Sequence, residues 1–164
     1  TITKSVGYNL WKGNNLYSTV EGNEKIYKEN MQKNIEAIEP SPKYDLHIDE
    51  IYKLEAIKNI KSDPFRYMFL YFKKFFAFIF IDFDSKYPNY YNLFHIIPKI
   101  LISITSFLGL IYLLRKKDVL NYFSLFYLFN ISFFSVFFIL PRYSLILFPA
   151  QVILTCYFLK KIKI

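Results

Sequence analysis

Cysteine and glycine are both scarce in this chain. The one cysteine, Cys156, lies inside an apolar run, so no disulfide framework can hold a small fold together, and we expect a packed thiol there. Only four glycines occur in 164 residues, and no Gly-rich or Ser-rich tract is present. These shortages exclude a flexible linker protein and a disulfide-stapled domain.

Acidic residues are scarce in the second part of the chain. Residues 1–64 carry nine Lys and ten acidic residues, whereas residues 65–164 carry twelve Lys or Arg and three Asp. The basic excess therefore lies beside apolar runs, as it does where cations flank membrane spans and meet anionic headgroups. Since a nucleic-acid-binding protein carries its cations on a polar face, we expect membrane lipid and no nucleic acid as a partner.

Apolar and aromatic residues are abundant, and three long runs predict transmembrane helices. Residues 119–141 form 23 consecutive uncharged residues, which as a helix reach about 35 Å and exceed a hydrocarbon core of about 30 Å. Residues 96–114 are interrupted only by Lys99, near one end, and residues 143–159 are uncharged. We predict three membrane spans within residues 96–164.

Basic clusters after the first and last spans predict the orientation. Lys and Arg concentrate on the cytoplasmic side of multi-pass proteins. We therefore expect an inner (cytoplasmic) membrane protein with a cytoplasmic C-terminus and with residues 1–63 outside the cytoplasm. The clusters are Arg115, Lys116 and Lys117, and Lys160, Lys161 and Lys163.

The stretch from residue 64 to residue 83 predicts an amphipathic helix. Pro64 suits a first helical turn, and Lys73 and Lys74 interrupt the aromatic run at its centre. Two lysines at a bilayer centre cost about 5 to 7 kcal/mol on insertion scales. We predict that this helix lies in the membrane interface, with a tilted span as the alternative. A polar stripe is expected on Arg66, Lys73, Ala77 and Asp84.

The front segment predicts two helices and no strands. Apolar residues at helical spacing run from Tyr27 to Ile38 and over residues 47–61, with Pro40-Ser41-Pro42 as the turn. The fold class predicted is an all-α membrane protein with three parts: a small helical extracytoplasmic segment (1–63), an interfacial helix with an aromatic loop (64–95) and a transmembrane region (96–164).

Three short motifs carry candidate chemistry. Residues 7–15, Gly-Tyr-Asn-Leu-Trp-Lys-Gly-Asn-Asn, predict a structured loop in which Trp11 either stacks on a sugar or pins a turn, while Asn14 and Asn15 could bind hydroxyl groups. Arg142 and Tyr143, between two spans, suit either a phosphate or an ordinary interfacial anchor. Asp82 and Asp84 have the Asp-x-Asp spacing of some metal sites, but no third ligand stands beside them, so no metal is predicted.

The order of these motifs resembles the C-terminal part of a polytopic lipid-linked-sugar glycosyltransferase of the GT-C type. The bacterial family concerned is related to protein O-mannosyltransferases and to the aminoarabinose transferase of lipid A. Its members commonly carry Leu-Trp-x-Gly-Asn-Asn, matched by residues 10–15, and Arg-Tyr near the last spans, matched by Arg142 and Tyr143. Ser144 and Lys12 depart from the usual pattern.

The resemblance implies a fragment of an integral membrane glycosyltransferase that moves a sugar from a polyprenyl-phosphate donor to an acceptor on the extracytoplasmic face. It implies substrate-binding roles for Arg142, Tyr143, Trp11 and the motif Gly13-Asn14-Asn15. No cofactor is expected besides the lipid-linked sugar, which is the donor substrate.

In that family the catalytic acidic residue lies in the first outer loop. We therefore expect it in a missing N-terminal transmembrane region before Thr1, assign no catalytic residue here and expect the fragment alone to be inactive. The alternative function is a non-enzymatic membrane subunit or scaffold that binds lipid or a partner helix.

Overall fold

The computed structural model describes residues 5–26, 29–115 and 121–162, and all its regular elements in these ranges are helices. The elements are α1 (Val6–Asn14), α2 (Glu29–Glu36), α3 (Tyr44–Ser62), α4 (Pro64–Ile79), α5 (Leu93–Leu114), α6 (Asn121–Ser135), a 3-10 turn (Pro141–Tyr143) and α7 (Ser144–Ile162). The predicted all-α class is confirmed. Of the residues used in the predictions, Thr1, Tyr27, Lys116, Lys117, Val119 and Lys163 lie outside the described ranges.

The front helices pack around a small aromatic core. Trp11, Met31 and Ala56 are buried at its centre, and half-buried rings from α1 and α3 surround them. The two helices predicted in the front segment correspond to α2 and α3. However, the loop predicted for residues 7–15 is wrong, because these residues form most of α1.

Helix α4 begins as predicted, with Pro64 in its first turn and the Asp63 side chain accepting a hydrogen bond from the Arg66 amide at 3.2 Å. The expected polar stripe is wrong at Ala77, which is buried. Four of the six phenyl rings of α4 form its exposed face: Phe65, Phe69, Phe72 and Phe76.

Two described helices, Leu93–Leu114 and Leu145–Ile162, are long and apolar enough to cross a membrane. They pack directly on each other. Thr105 and Thr155 hydroxyl oxygens lie 3.0 Å apart, and the rings of Tyr112 and Tyr157 lie 6.0 Å apart further along both helices. The contacts advance in the same direction, so α5 and α7 run parallel and their basic ends lie at the same end. Gly109 permits this packing, because an added Cβ atom would meet an α7 carbonyl oxygen at 2.3 Å.

Helix α6 ends at Ser135, before the predicted uncharged run ends at residue 141. The 15 described residues of α6 reach about 22 Å. After Ser135 the chain leaves the α-helix. The Val136 carbonyl group and the Ile139 amide group form hydrogen bonds with the front segment. The Asn14 side chain donates to the Val136 carbonyl oxygen at 2.8 Å, and the Ile139 amide donates to the Val20 carbonyl oxygen at 2.8 Å.

The later helices share a second core, to which α4, α5, α6 and α7 all contribute. Phe78 stacks on Phe134 with ring centroids 6.1 Å apart, and Phe80 meets Phe107 edge to face at 5.5 Å. The Gln151 side chain donates to the carbonyl oxygen at the end of α4 at 3.0 Å. Helix α4 therefore packs along α6, and its C-terminal end meets α5 and α7. The predicted packed thiol is wrong, because Cys156 is exposed on α7.

Candidate functional site

The Gly13-Asn14-Asn15 motif lies at the end of α1, where α1 meets the chain that follows α6. An added Cβ atom on Gly13 would lie 2.1 Å from the Phe137 carbonyl oxygen, so only glycine allows this approach. The Asn14 amide group donates to Val136, as described above, and to the Leu10 carbonyl oxygen at 2.8 Å. Both asparagines are buried.

Asn15 holds the turn that follows α1. Its backbone amide donates to the Ser18 hydroxyl at 2.8 Å, and its side-chain oxygen accepts a hydrogen bond from the Tyr17 amide at 2.9 Å. The Ser18 hydroxyl in turn donates to the Lys12 carbonyl oxygen at 2.8 Å. The two amide side chains that the sequence offered for sugar hydroxyls are thus engaged within the protein.

Trp11 belongs to the core of the front segment. It is 2% exposed, and its ring centroid lies 4.9 Å from Tyr52 and 6.1 Å from Tyr8. With both faces packed, the indole is not open to a sugar in this arrangement. Burial favours the interpretation in which Trp11 fixes the local structure.

Lys74 lies directly beneath the motif. It is 0% exposed, and its ammonium group donates to the Gly13 carbonyl oxygen at 2.8 Å and to the Asn14 side-chain oxygen at 3.4 Å. A cation suits this position because carbonyl groups at a helix C-terminus carry partial negative charge. Burial lowers the pKa of Lys74 from 10.5 to about 7. The sequence showed two adjacent lysines but no signal for which one is buried.

The Pro141–Tyr143 turn brings Arg142 and Tyr143 next to the front segment. The Tyr143 ring packs on Phe138 with centroids 5.9 Å apart, and the Arg142 guanidinium carbon lies 5.8 Å from the Tyr143 ring centroid. The Lys12 ammonium group also lies close to Phe138, 4.3 Å from the ring centroid. Arg142 is exposed, and no ion pair to it is present within the described ranges.

Lys12 also forms an ion pair with Glu24. The hydrogen bond and charge of Lys12 lower the pKa of the Glu24 carboxyl, and Tyr8 adds a weaker hydrogen bond. Two motifs more than 120 residues apart in sequence therefore meet around one aromatic ring. Sequence reasoning identified both motifs but missed Phe138 and Glu24, since neither stands out from its local pattern.

Asp82 and Asp84 occupy the turn after α4. The Asp84 amide donates to an Asp82 side-chain oxygen at 3.0 Å, and the Asp82 amide donates to the Tyr90 hydroxyl at 2.9 Å. Asp84 also lies 3.6 Å from the Lys73 ammonium group. Burial raises the pKa of Asp82. In the part of the chain that the structure covers, no three His, Cys, Asp or Glu side chains cluster as a metal site.

Comparison with protein-family models, with curated proteins and with solved structures finds no match to this chain. The function is therefore inferred from the residues and their arrangement. The arrangement that brings most candidate residues together is the junction of α1 with the 3-10 turn, defined by Lys12, Gly13, Phe138, Arg142 and Tyr143 and called here the α1–turn junction.

Proposed function

We propose that this chain is the C-terminal part of a membrane glycosyltransferase that transfers a sugar from a polyprenyl-phosphate carrier to an acceptor at the extracytoplasmic face. The observation that carries the proposal is the α1–turn junction. Gly13-Asn14-Asn15 and Arg142-Tyr143 resemble family motifs separately, and chance resemblances have no reason to meet in space. Here both motifs contact the chain segment between Val136 and Phe138.

The membrane setting is supported by exposed apolar side chains. Only 28% of the apolar window in α5 and 17% of that in α7 are buried, whereas a core helix of a soluble protein is mostly buried. We propose that α5, α6 and α7 cross the bilayer. We propose that α4 lies in the interface with its phenyl rings toward lipid.

The chemistry proposed for Arg142 is binding of the carrier phosphate. Its guanidinium is exposed, stacks on Tyr143 and offers paired donors that match phosphate oxygens. When the bond between sugar and phosphate breaks, negative charge grows on the phosphate that leaves. A guanidinium positioned there stabilises that charge more in the transition state than in the ground state. The catalytic base is assigned to a part of the protein outside this sequence.

Gly13-Asn14-Asn15 is proposed to support this site without touching the sugar. Gly13 allows α1 to reach the chain after α6, Asn14 fixes that chain by its hydrogen bond to Val136, and Lys74 fixes the end of α1. The motif thereby holds Phe138 in contact with both Lys12 and Tyr143. Arg142 gains its position from this chain of contacts.

The test is Arg142→Ala in the intact protein, with transfer measured in membranes supplied with a labelled polyprenyl-phosphate sugar. We expect transfer to fall on the order of 100-fold, the scale for loss of one charge-stabilising donor, while the amount of inserted protein stays the same. Arg142→Lys should recover only part of the rate, because lysine lacks the paired donors. Arg115→Ala is the control. Arg115 is also exposed, but it follows the C-terminal end of α5, whereas Arg142 precedes the N-terminal end of α7. Unchanged transfer in Arg142→Ala would remove the phosphate role.

One observation favours a second candidate, a non-enzymatic membrane subunit. The polar groups of Asn14 and Asn15 and the faces of Trp11 are engaged internally, as expected of a purely structural motif. If the chain is a non-enzymatic subunit, a photoreactive polyprenyl-phosphate donor should crosslink to the wild type and to Arg142→Ala equally, and only at background level. An enzyme predicts that a photoreactive polyprenyl-phosphate donor labels the wild type more strongly than the variant.

A further inference from the structure

A groove with apolar walls lies between α4 and the first half of α5. Its volume is about 780 Å³, within the range of ligand sites, and its lining is almost wholly apolar. The walls are Phe69, Phe72 and Phe76 of α4 and Ile100 and Ile104 of α5. The three phenyl rings and Ile104 are exposed, so no described part of the chain covers the groove.

The occupant of the groove must itself be apolar over most of its length. Exposure of phenyl and isoleucine side chains to water costs a free energy of roughly 25 cal/mol per Å². One wall belongs to α5, one of the two helices able to cross a membrane, so in the membrane setting proposed above the groove borders lipid chains. A hydrocarbon chain of a bilayer lipid meets both conditions.

The rim of the groove is charged, and its charges select the headgroup. Lys73 supplies one cation, and Asp82 and Asp84 supply two carboxyl groups. Lys73 and Asp84 lie 3.6 Å apart, too far for a short charge-assisted hydrogen bond and close enough for one small headgroup to contact both. A purely anionic headgroup would face the two carboxyl groups, and a purely cationic one would face Lys73.

We propose that this groove binds a phospholipid with a zwitterionic phosphoethanolamine headgroup. One acyl chain lies along the phenyl wall, the phosphate lies at Lys73 and the primary ammonium group lies at Asp84 and Asp82. A primary ammonium group donates hydrogen bonds to carboxylates, whereas a trimethylated one has no N–H to donate. The inference depends on the membrane setting of α5 and not on sugar transfer.

The position of Asp82 supports an ammonium partner. Its carboxyl group is buried, and burial raises its pKa, because a desolvated carboxylate lacks the stabilisation that water gives it. The hydrogen bond from the Asp84 amide and the charge of Lys73 offset this only in part. An ammonium group at the rim would add a further favourable partner for the charged form.

The experiment uses the intact protein in nanodiscs that contain equal amounts of phosphoethanolamine, phosphocholine and phosphoglycerol lipids with identical acyl chains. The protein is extracted in mild detergent, and the retained lipids are quantified by mass spectrometry. We expect the phosphoethanolamine lipid to be enriched roughly fivefold, the scale of an exposed pair of charges. Equal retention of the three lipids, or preference for either of the others, would overturn the proposal.

Substitutions of the charged residues at the rim test whether these residues cause the preference for the phosphoethanolamine lipid. Asp84→Asn and Lys73→Gln should each reduce the enrichment to near equality while total retained lipid changes little, because the apolar walls remain. Glu50→Gln and Lys53→Gln make the same changes of charge at exposed positions on α3 and should keep the wild-type enrichment. An enrichment that survives both rim variants would place the lipid elsewhere and refute the proposed site.

Discussion

Lys74 makes the stability of this protein depend on pH in a direction that can be worked out. Its pKa is lowered by burial from 10.5 to about 7, so the folded state loses a proton that the unfolded state keeps between these values. Stability rises with pH wherever the unfolded state binds more protons. The buried charge therefore costs most at and below pH 7, and this cost disappears as the pH rises toward 10.5.

The size of this effect follows from the same two pKa values. The full difference corresponds to about 5 kcal/mol, at about 1.4 kcal/mol for each pH unit. Between pH 7 and pH 9 the folded protein should gain about 2 kcal/mol from this group alone. For a chain of this size that gain raises Tm by roughly 4 to 8 °C.

Lys74→Met tests this reasoning, since methionine fills most of the same space without a charge. The variant leaves the Gly13 carbonyl without its donor, which costs about 1 to 3 kcal/mol, but it removes the buried cation. We expect it to be at least as stable as the wild type at pH 6 and to lose this advantage by pH 9. The measurement is thermal unfolding in detergent across this range.

Lys73→Met is the matched control, because Lys73 is exposed and its pair with Asp84 contributes less than about 1 kcal/mol. The contributions of other titrating groups to Tm cancel when each variant is compared with the wild type at the same pH. A constant difference in Tm between the wild type and Lys74→Met from pH 7 to pH 9 would refute a buried lysine with a low pKa.

Three further substitutions test the packing. Gly13→Ala should lower the free energy of unfolding by about 1 to 3 kcal/mol through its clash with the Phe137 carbonyl, and an unchanged Tm would contradict that close approach. Trp11→Ala should cost about 3 to 5 kcal/mol as loss of a core side chain, whereas a ring that served only a substrate would leave chemical denaturation unaltered. Gly109→Leu should force α5 from α7 at the Leu154 carbonyl and weaken a cysteine crosslink between the two helices; crosslinking at the wild-type rate would count against their contact.

Much of the helical layout could be predicted because it depends on local pattern. Pro64 and the apolar periodicity of residues 47–61 mark α4 and α3, and uncharged runs mark α5 and α7. Helix α1 was missed because Gly and Asn have low helix propensity. Its first turn is instead capped from α3, where the Asp49 carboxylate accepts hydrogen bonds from the Gly7 and Tyr8 amides at 2.9 Å each.

The candidate site was predicted only as two separate motifs. Arg142 and Gly13 could be identified from their types and neighbours, but the ring that joins them, Phe138, is one of many phenylalanines in an apolar run. The burial of Lys74 likewise depends on α1, about 60 residues away, and not on anything in α4. Contacts between residues far apart in sequence are set by tertiary packing, which local patterns do not encode.

The hydrogen bond from Ile139 to Val20 has a topological consequence for any bilayer around this chain. Two bonded backbone groups must share one compartment, so the chain between them crosses the membrane an even number of times. If α5 and α6 each cross once, α4 cannot cross as well. Under that condition the even number of crossings excludes the tilted span for α4, the helix that carries Lys73 and Lys74, and leaves the interfacial placement.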